Sequence, residues 1–89
     1  MPIPLEKQNK ERRQKILTCS LDLFIEKGYY NTSIRDIIAL SEVGTGTFYN
    51  YFVDKEDILK NLLEDFAKQI ISSISEYYLV EKDLYERFI

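Results

Sequence analysis

The sequence predicts an all-α fold: a three-helix bundle in which two short helices are joined by a tight turn, followed by a long fourth helix and the start of a fifth. Three observations carry this. Apolar residues recur at three- and four-residue steps through residues 6–27 and again through 58–79, the period of helices with one buried face. Cap signals stand between these stretches, with Ser33 and Asp54 placed to open helices and Gly28 to close one. The connections are short, and no internal repeat, low-complexity tract or flexible linker interrupts them.

The first helix is read from Glu6 to Lys27, with Ile16, Leu17, Leu21, Phe24 and Ile25 on its apolar face and the small Cys19 and Ser20 between them. Gly28 supplies a left-handed residue to end it, and Lys27 puts positive charge at the negative end of its dipole. The chain then turns through Tyr29-Tyr30-Asn31-Thr32. Ser33 begins the second helix as half of a capping box: its hydroxyl accepts from the Asp36 N–H, and the Asp36 carboxylate reaches back. Ile34, Ile37 and Ile38 face inward until Ser41-Glu42-Val43-Gly44 breaks the pattern.

A third helix runs from Thr45 to about Phe52, with Gly44 as its N-cap and Val43 packing on Phe48 as a hydrophobic staple. Asp54 caps the fourth helix with Asp57 at the third position and Val53 facing Ile58, the same arrangement again. Ile58, Leu59, Leu62, Leu63, Phe66, Ile70, Ile74 and Tyr77 form its stripe, which continues to about Leu79, roughly 25 residues or ~37 Å. A small bundle needs less, so part of that stripe must cover something else. The chain stops at Arg87-Phe88-Ile89 inside a fifth helical segment. The expected division is a DNA-sized head over residues 1–55 and, over 56–89, a connecting helix with the start of a C-terminal domain cut short.

Composition narrows the function classes. With 45% hydrophobic and 30% charged residues the chain is globular, and no apolar run is long enough to cross a bilayer. The N-terminal stretch has no apolar segment behind its charges, so a cytoplasmic protein with no membrane association is expected. Cys19 is alone, histidine is absent and no phosphate-cradling glycine loop occurs, so neither a metal, a cofactor nor catalysis is expected. The net charge of −3 is unevenly spread: +3 over residues 1–35, −2 over 36–55 and −4 over 56–89. Lys7, Lys10, Arg12, Arg13 and Lys15 concentrate basic character at the front, as a nucleic-acid partner requires, although an ordinary solvated helix start reads the same way.

Thr32-Ser33-Ile34-Arg35-Asp36-Ile37, then Val43-Gly44-Thr45-Gly46-Thr47-Phe48-Tyr49-Asn50-Tyr51-Phe52 and Lys55-Glu56, closely resemble the tetracycline-repressor (TetR) family of regulators. Ile16-Leu17, Leu23-Phe24 and Glu26-Lys27-Gly28-Tyr29 fit as well, so the resemblance spans roughly residues 12–66. It implies a homeodomain-like helix-turn-helix head whose third helix lies in the major groove of double-stranded operator DNA. It further implies a larger helical domain, essentially absent here, that binds a small-molecule effector and forms a homodimer in the full-length protein.

The resemblance also nominates residues. Thr45, Gly46 and Thr47 give the third helix a slim, hydrogen-bonding N-terminal end suited to base edges, and Gly46 costs roughly 1 kcal/mol relative to Ala, a cost explained by close approach of backbone to DNA. Tyr49 and Tyr51 match positions whose hydroxyls approach the DNA backbone, with Asn50 between them; Phe48 and Phe52 are core, and one tyrosine reads equally as packing. Thr32, Ser33 and Arg35 stand at the start of the second helix, where a guanidinium reaches a guanine edge or a phosphate, or else pairs with Asp36 or Asp54. Lys55 looks like the family's phosphate-contacting lysine; a solvated lysine beside Glu56 is the alternative.

Departures cluster in the turn. Ser41 and Glu42 replace a usual alanine and glycine, Gly44-Thr45 a usual serine and lysine, and Ile38 a frequent alanine. A left-handed Glu42 would cost roughly 1–2 kcal/mol, and Thr45 shifts affinity toward Lys55, Arg35 and the basic arm. Two functions follow from these features. A ligand-responsive repressor leads; a helical protein-interaction module that has lost useful DNA affinity is the alternative, favoured by Glu42, the acidic total and the fourth-helix stripe.

Overall fold

The structure, a computed structural model, describes residues 4–88; the first three residues of the N-terminal arm and residue 89 lie outside the described residues. Four helices follow in order, α1 (Leu5–Lys27), α2 (Ile34–Ser41), α3 (Thr45–Tyr51) and α4 (Lys55–Phe88). The chain is elongated. Its radius of gyration is 18.2 Å, against about 12 Å for a compact chain of this length, because α4 projects far beyond the bundle.

The core sits where α1, α2, α3 and the first turns of α4 converge on Ile16, Leu17, Ile37, Phe48, Phe52 and Ile58, none more than 1% exposed. Leu23, Phe24, Ile34, Ile38, Val43, Tyr51 and Leu62 pack around it. Since Ile58 and Leu62 belong to this core, the head extends past residue 55, and the expected boundary there falls inside it. On α1 the buried face is Ile16, Leu17 and Ser20 rather than the whole expected stripe; Leu21 and Ile25 are exposed. Ile25 lies nine residues beyond Ile16, about half a turn around the helix, and α2 and α3 cover only one side.

Small residues let α1 and α2 approach closely. Ser20 and Ser41 are fully buried, and each hydroxyl donates to the carbonyl one turn back, Ile16 and Ile37, at 2.7 Å. Each buried hydroxyl thereby finds its acceptor within its own helix. The α2 start is as expected: Asp36 N–H donates to Ser33 Oγ and Ser33 N–H to Asp36 Oδ2, both at 3.0 Å. Lys27 Nζ adds a 3.0 Å ion pair to the same carboxylate oxygen, tying the end of α1 to the start of α2.

These three partners hold the Asp36 carboxyl at about 2, the Ser33 backbone N–H being the largest cause, then Lys27 and the Ser33 hydroxyl. A carboxyl depressed on folding stabilises above its unfolded value and loses that contribution as pH falls through its folded value. Between about pH 4 and pH 2, therefore, the wild-type thermal midpoint drops more steeply than that of Asp36→Asn. Parallel descent of the two curves would remove Asp36 from the acid transition.

Glu42, closing α2, is the non-glycine residue with positive φ among those described (φ 58°, ψ 25°), and its N–H donates to Ile38 O at 3.0 Å. The turn thus takes a left-handed residue at Glu42, and a carboxylic side chain bears the strain. Gly28 also has positive φ, 89°, but its ψ of 152° sends the chain outward instead of into the left-handed helical region.

At the start of α4, Asp57 N–H donates to Asp54 Oδ1 at 2.8 Å, while the Asp57 carboxylate accepts from the N–H of Val53 at 3.0 Å. The Asp54 half of the expected box forms, but Asp57 reaches one residue further back, to Val53, and the Val53 staple does not form: Val53 is 75% exposed while Ile58 is buried by other partners. The expected fifth segment is not separate either, for α4 runs unbroken to Phe88. Residues 80–88 contain no proline, glycine or cap to end a helix, and an Asp83–Arg87 pair at 3.3 Å supports the last turns.

Candidate nucleic-acid interface

Helix α3 is only seven residues long, and two of its neighbours in the core decide which way it faces. Phe48 and Phe52, one turn apart, are buried with centroids 6.2 Å apart. Gly46 and Asn50 lie on the opposite face and are exposed; Thr45 and Tyr49, nearer the buried side, are exposed as well, and Thr47 is half-buried. Tyr49 leans edge-on against Phe48 at 5.2 Å, which steadies its ring and leaves the side chain 52% exposed.

Gly46 has no internal reason to be glycine. Its φ is not positive, and a Cβ built on it meets nothing within 4 Å. Among the described residues neither turn geometry nor packing demands glycine there.

Arg35, one residue into α2, is exposed and forms no ion pair among the described residues; Asp36 is taken by Lys27 instead. Ser33 is exposed too, with its hydroxyl oxygen accepting from Asp36.

Thr32 is different. It is 2% exposed, and its hydroxyl donates to Gly28 O at 2.9 Å and Leu23 O at 3.3 Å, bracing the α1–α2 loop from inside. The expected contact of Thr32 with DNA does not fit this placement: its single hydroxyl proton is shared between those two carbonyls, and the side chain is buried.

Lys55 and Tyr51 are both held by distant parts of the chain. Lys55 Nζ donates to Tyr29 O at 2.7 Å and lies 4.4 Å from the Tyr29 ring centroid, so it is neither freely solvated nor paired with Glu56. The Tyr51 hydroxyl donates to Asn9 Oδ1 at 3.0 Å, joining α3 to the front of α1. Tyr51 is half-buried, and the packing alternative left open for one of the two tyrosines describes it better than Tyr49.

The basic arm divides the same way. Arg13 is a strut between α1 and α4, donating to Asn61 Oδ1 at 2.9 Å, lying 3.9 Å from Asp65 and covering the Phe52 ring at 5.9 Å. Lys15 stands 3.9 Å from Glu42. Lys7, Lys10 and Arg12 remain exposed, and among the described residues none of them enters an ion pair. Asn9 and Tyr29 were missed from sequence because their roles depend on partners 42 and 26 residues away.

Residues 16–62 match the profile of the bacterial regulatory proteins of the tetR family. Over 65 residues, 68% of this chain, it is 43% identical to the HTH-type transcriptional regulator HbdR of Aromatoleum sp. (strain CIB). It is 35% identical over 71% of its length to the HTH-type transcriptional repressor DhaR of Mycobacterium sp. (strain GP1). It is also 32% identical over 80% of its length to the HTH-type dhaKLM operon transcriptional activator DhaS of Lactococcus lactis. The aligned parts make up 28%, 32% and 38% of those three proteins, so the chain spans about a third of the length of the curated relatives it matches.

Proposed function

This chain belongs to the tetR family of bacterial regulatory proteins, and on that footing we propose that its bundle is the operator-binding head of a sequence-specific transcriptional regulator. Helix α3 enters the major groove with Thr45, Gly46 and Thr47 toward the base edges. The observation carrying this is the bare, outward N-terminal end of α3, held up by buried Phe48 and Phe52 and containing a glycine that the fold itself does not require. Ser33, Arg35, Tyr49, Asn50 and Lys55 flank it and supply backbone and base contacts; Tyr51 contributes by fixing α1 against α3.

The regulator acts in the cytoplasm as a homodimer whose two α3 helices read half-sites about one helical turn or more apart. A small-molecule effector in a larger helical domain changes that spacing through α4 and thereby releases a repressed operator. In support, α4 is both anchored in the head through Ile58 and Leu62 and exposed beyond it along Phe66, Ile70, Ile74 and Tyr77. No helix of the described residues is long and apolar enough to cross a membrane, and the matched relatives carry the names of regulators, not of enzymes.

Selection from a random duplex library at two salt concentrations tests the reading. The chain is expected to enrich one shared motif, with binding that falls steeply as salt rises, since phosphate contacts release counterions. A Tyr49→Ala, Lys55→Ala double variant is expected to enrich none. Failure of both proteins to enrich any motif, even after artificial dimerisation, would replace DNA recognition with a protein-interaction role for the exposed face of α4.

A further inference from the structure

Lys55 is one of four hydrogen-bonded or stacked neighbours of a single residue in the α1–α2 loop, Tyr29. The Tyr29 carbonyl accepts from Lys55 Nζ at 2.7 Å and from the Thr32 N–H at 3.3 Å, filling both of its lone pairs. The Tyr29 ring lies under the same ammonium, 4.4 Å from centroid to Nζ, within reach of a cation–π attraction. Phe24 meets that ring edge-on at 5.1 Å and Tyr30 at 5.3 Å, so the aromatic platform is itself held.

The loop beneath is braced at every step. Gly28 N–H donates to Phe24 O, Asn31 Nδ2 to Lys27 O at 2.9 Å, and the buried Thr32 hydroxyl to Gly28 O and Leu23 O. Among the described residues Lys55 makes no ion pair with the adjacent Asp54 or Glu56. An ammonium has three N–H donors; one goes to Tyr29, and two remain.

We propose that Tyr29 is a positioning residue for Lys55, its ring and carbonyl forming a cradle that orders the lysine side chain before DNA arrives. Free lysine side chains lose rotamer freedom when they grip a phosphate, and that loss weakens binding. The cradle has already restricted Lys55 in the unbound head, while leaving two donors for a phosphate oxygen. Thr32, which reads from sequence as a DNA contact, serves the interface by fixing the loop that bears the cradle. The inference rests on the reading of Lys55 as a phosphate contact, and the experiment separates the two.

The full chain is titrated against an end-labelled mixed-sequence duplex over a range of salt concentrations, as wild type, Tyr29→Leu, Tyr29→Phe, Lys55→Met and the Tyr29→Leu, Lys55→Met double variant. Tyr29→Leu is expected to bind about three- to tenfold more weakly with the salt slope of the wild type, because the phosphate contact is still made. Tyr29→Phe keeps wild-type affinity, since ring and carbonyl both remain. Lys55→Met lowers the slope by about 0.9, and adding Tyr29→Leu to it weakens binding no further.

A folded Tyr29→Leu that binds like wild type beside a weakened Lys55→Met overturns the proposal alone. Unchanged affinity and slope in Lys55→Met overturn it together with the reading of Lys55. Should Tyr29→Leu not fold, the ammonium NMR signal of Lys55 in the free wild-type chain decides: slow proton exchange and an aromatic ring-current shift support the cradle, and exchange as fast as that of the exposed lysines overturns it.

Discussion

Phe48→Ala is expected to abolish the cooperative unfolding of the head, whereas Tyr49→Ala, one residue further along the same short helix, is expected to leave it folded and to weaken its hold on DNA. Phe48 is fully buried among Ile16, Leu17, Ile37, Phe52 and Ile58. Truncating such a residue costs about 3–5 kcal/mol, comparable with the whole stability of a domain this small, about 0.05–0.15 kcal/mol per residue. Nothing can collapse into the gap without moving Phe52, which also packs under Arg13. Tyr49, half exposed, loses on truncation only its edge contact with Phe48, about 0.5–1.5 kcal/mol. On the proposed reading its hydroxyl donates to a charged phosphate in the bound state, a contact worth about 1.5–3 kcal/mol, or roughly ten- to a hundredfold in affinity. Thermal unfolding and duplex titration of both variants separate the roles; wild-type affinity in Tyr49→Ala would remove it from the interface.

Gly46→Ala produces changes of opposite sign, a more stable head that binds DNA more weakly. Alanine is favoured over glycine by about 1 kcal/mol in a helix interior; Gly46, the second residue of α3, gains part of that, and the added methyl meets no atom beyond its own turn. The thermal midpoint is therefore expected to rise, by less than the ~4–8 °C that a full 1 kcal/mol gives a domain of this size. On the proposed docking of α3 the same methyl would come between the helix backbone and the base edges, and affinity for a selected duplex is expected to fall about tenfold or more, the effect of one poorly fitted base-edge contact. A variant that gains stability and keeps its affinity would show that α3 does not approach DNA at Gly46. A simple packing role makes the reverse prediction, lower stability with the substitution, so the two measurements together leave no overlap between the readings.

Interactions between residues three or four apart were legible in the sequence alone. The Ser33–Asp36 box, the Asp54–Asp57 cap, Gly44 before α3 and the Phe48–Phe52 pair all depend on helical geometry over a single turn, so residue type and spacing determine them. The outward face of α3 followed from the same rule, because burying Phe48 and Phe52 leaves Gly46 and Asn50 on the other side of the helix. Tertiary packing decided the rest. It turned Thr32 inward, exposed Val53 and Ile25, made Arg13 a strut to Asn61 and gave Lys55 to Tyr29 and Tyr51 to Asn9. Those outcomes depend on which side of α1 the other helices cover and on pairs separated by 26 to 48 residues. A helical period reports that a face is apolar; only the assembled bundle reports how much of that face there are neighbours to bury, and which polar side chains come within reach across the gap.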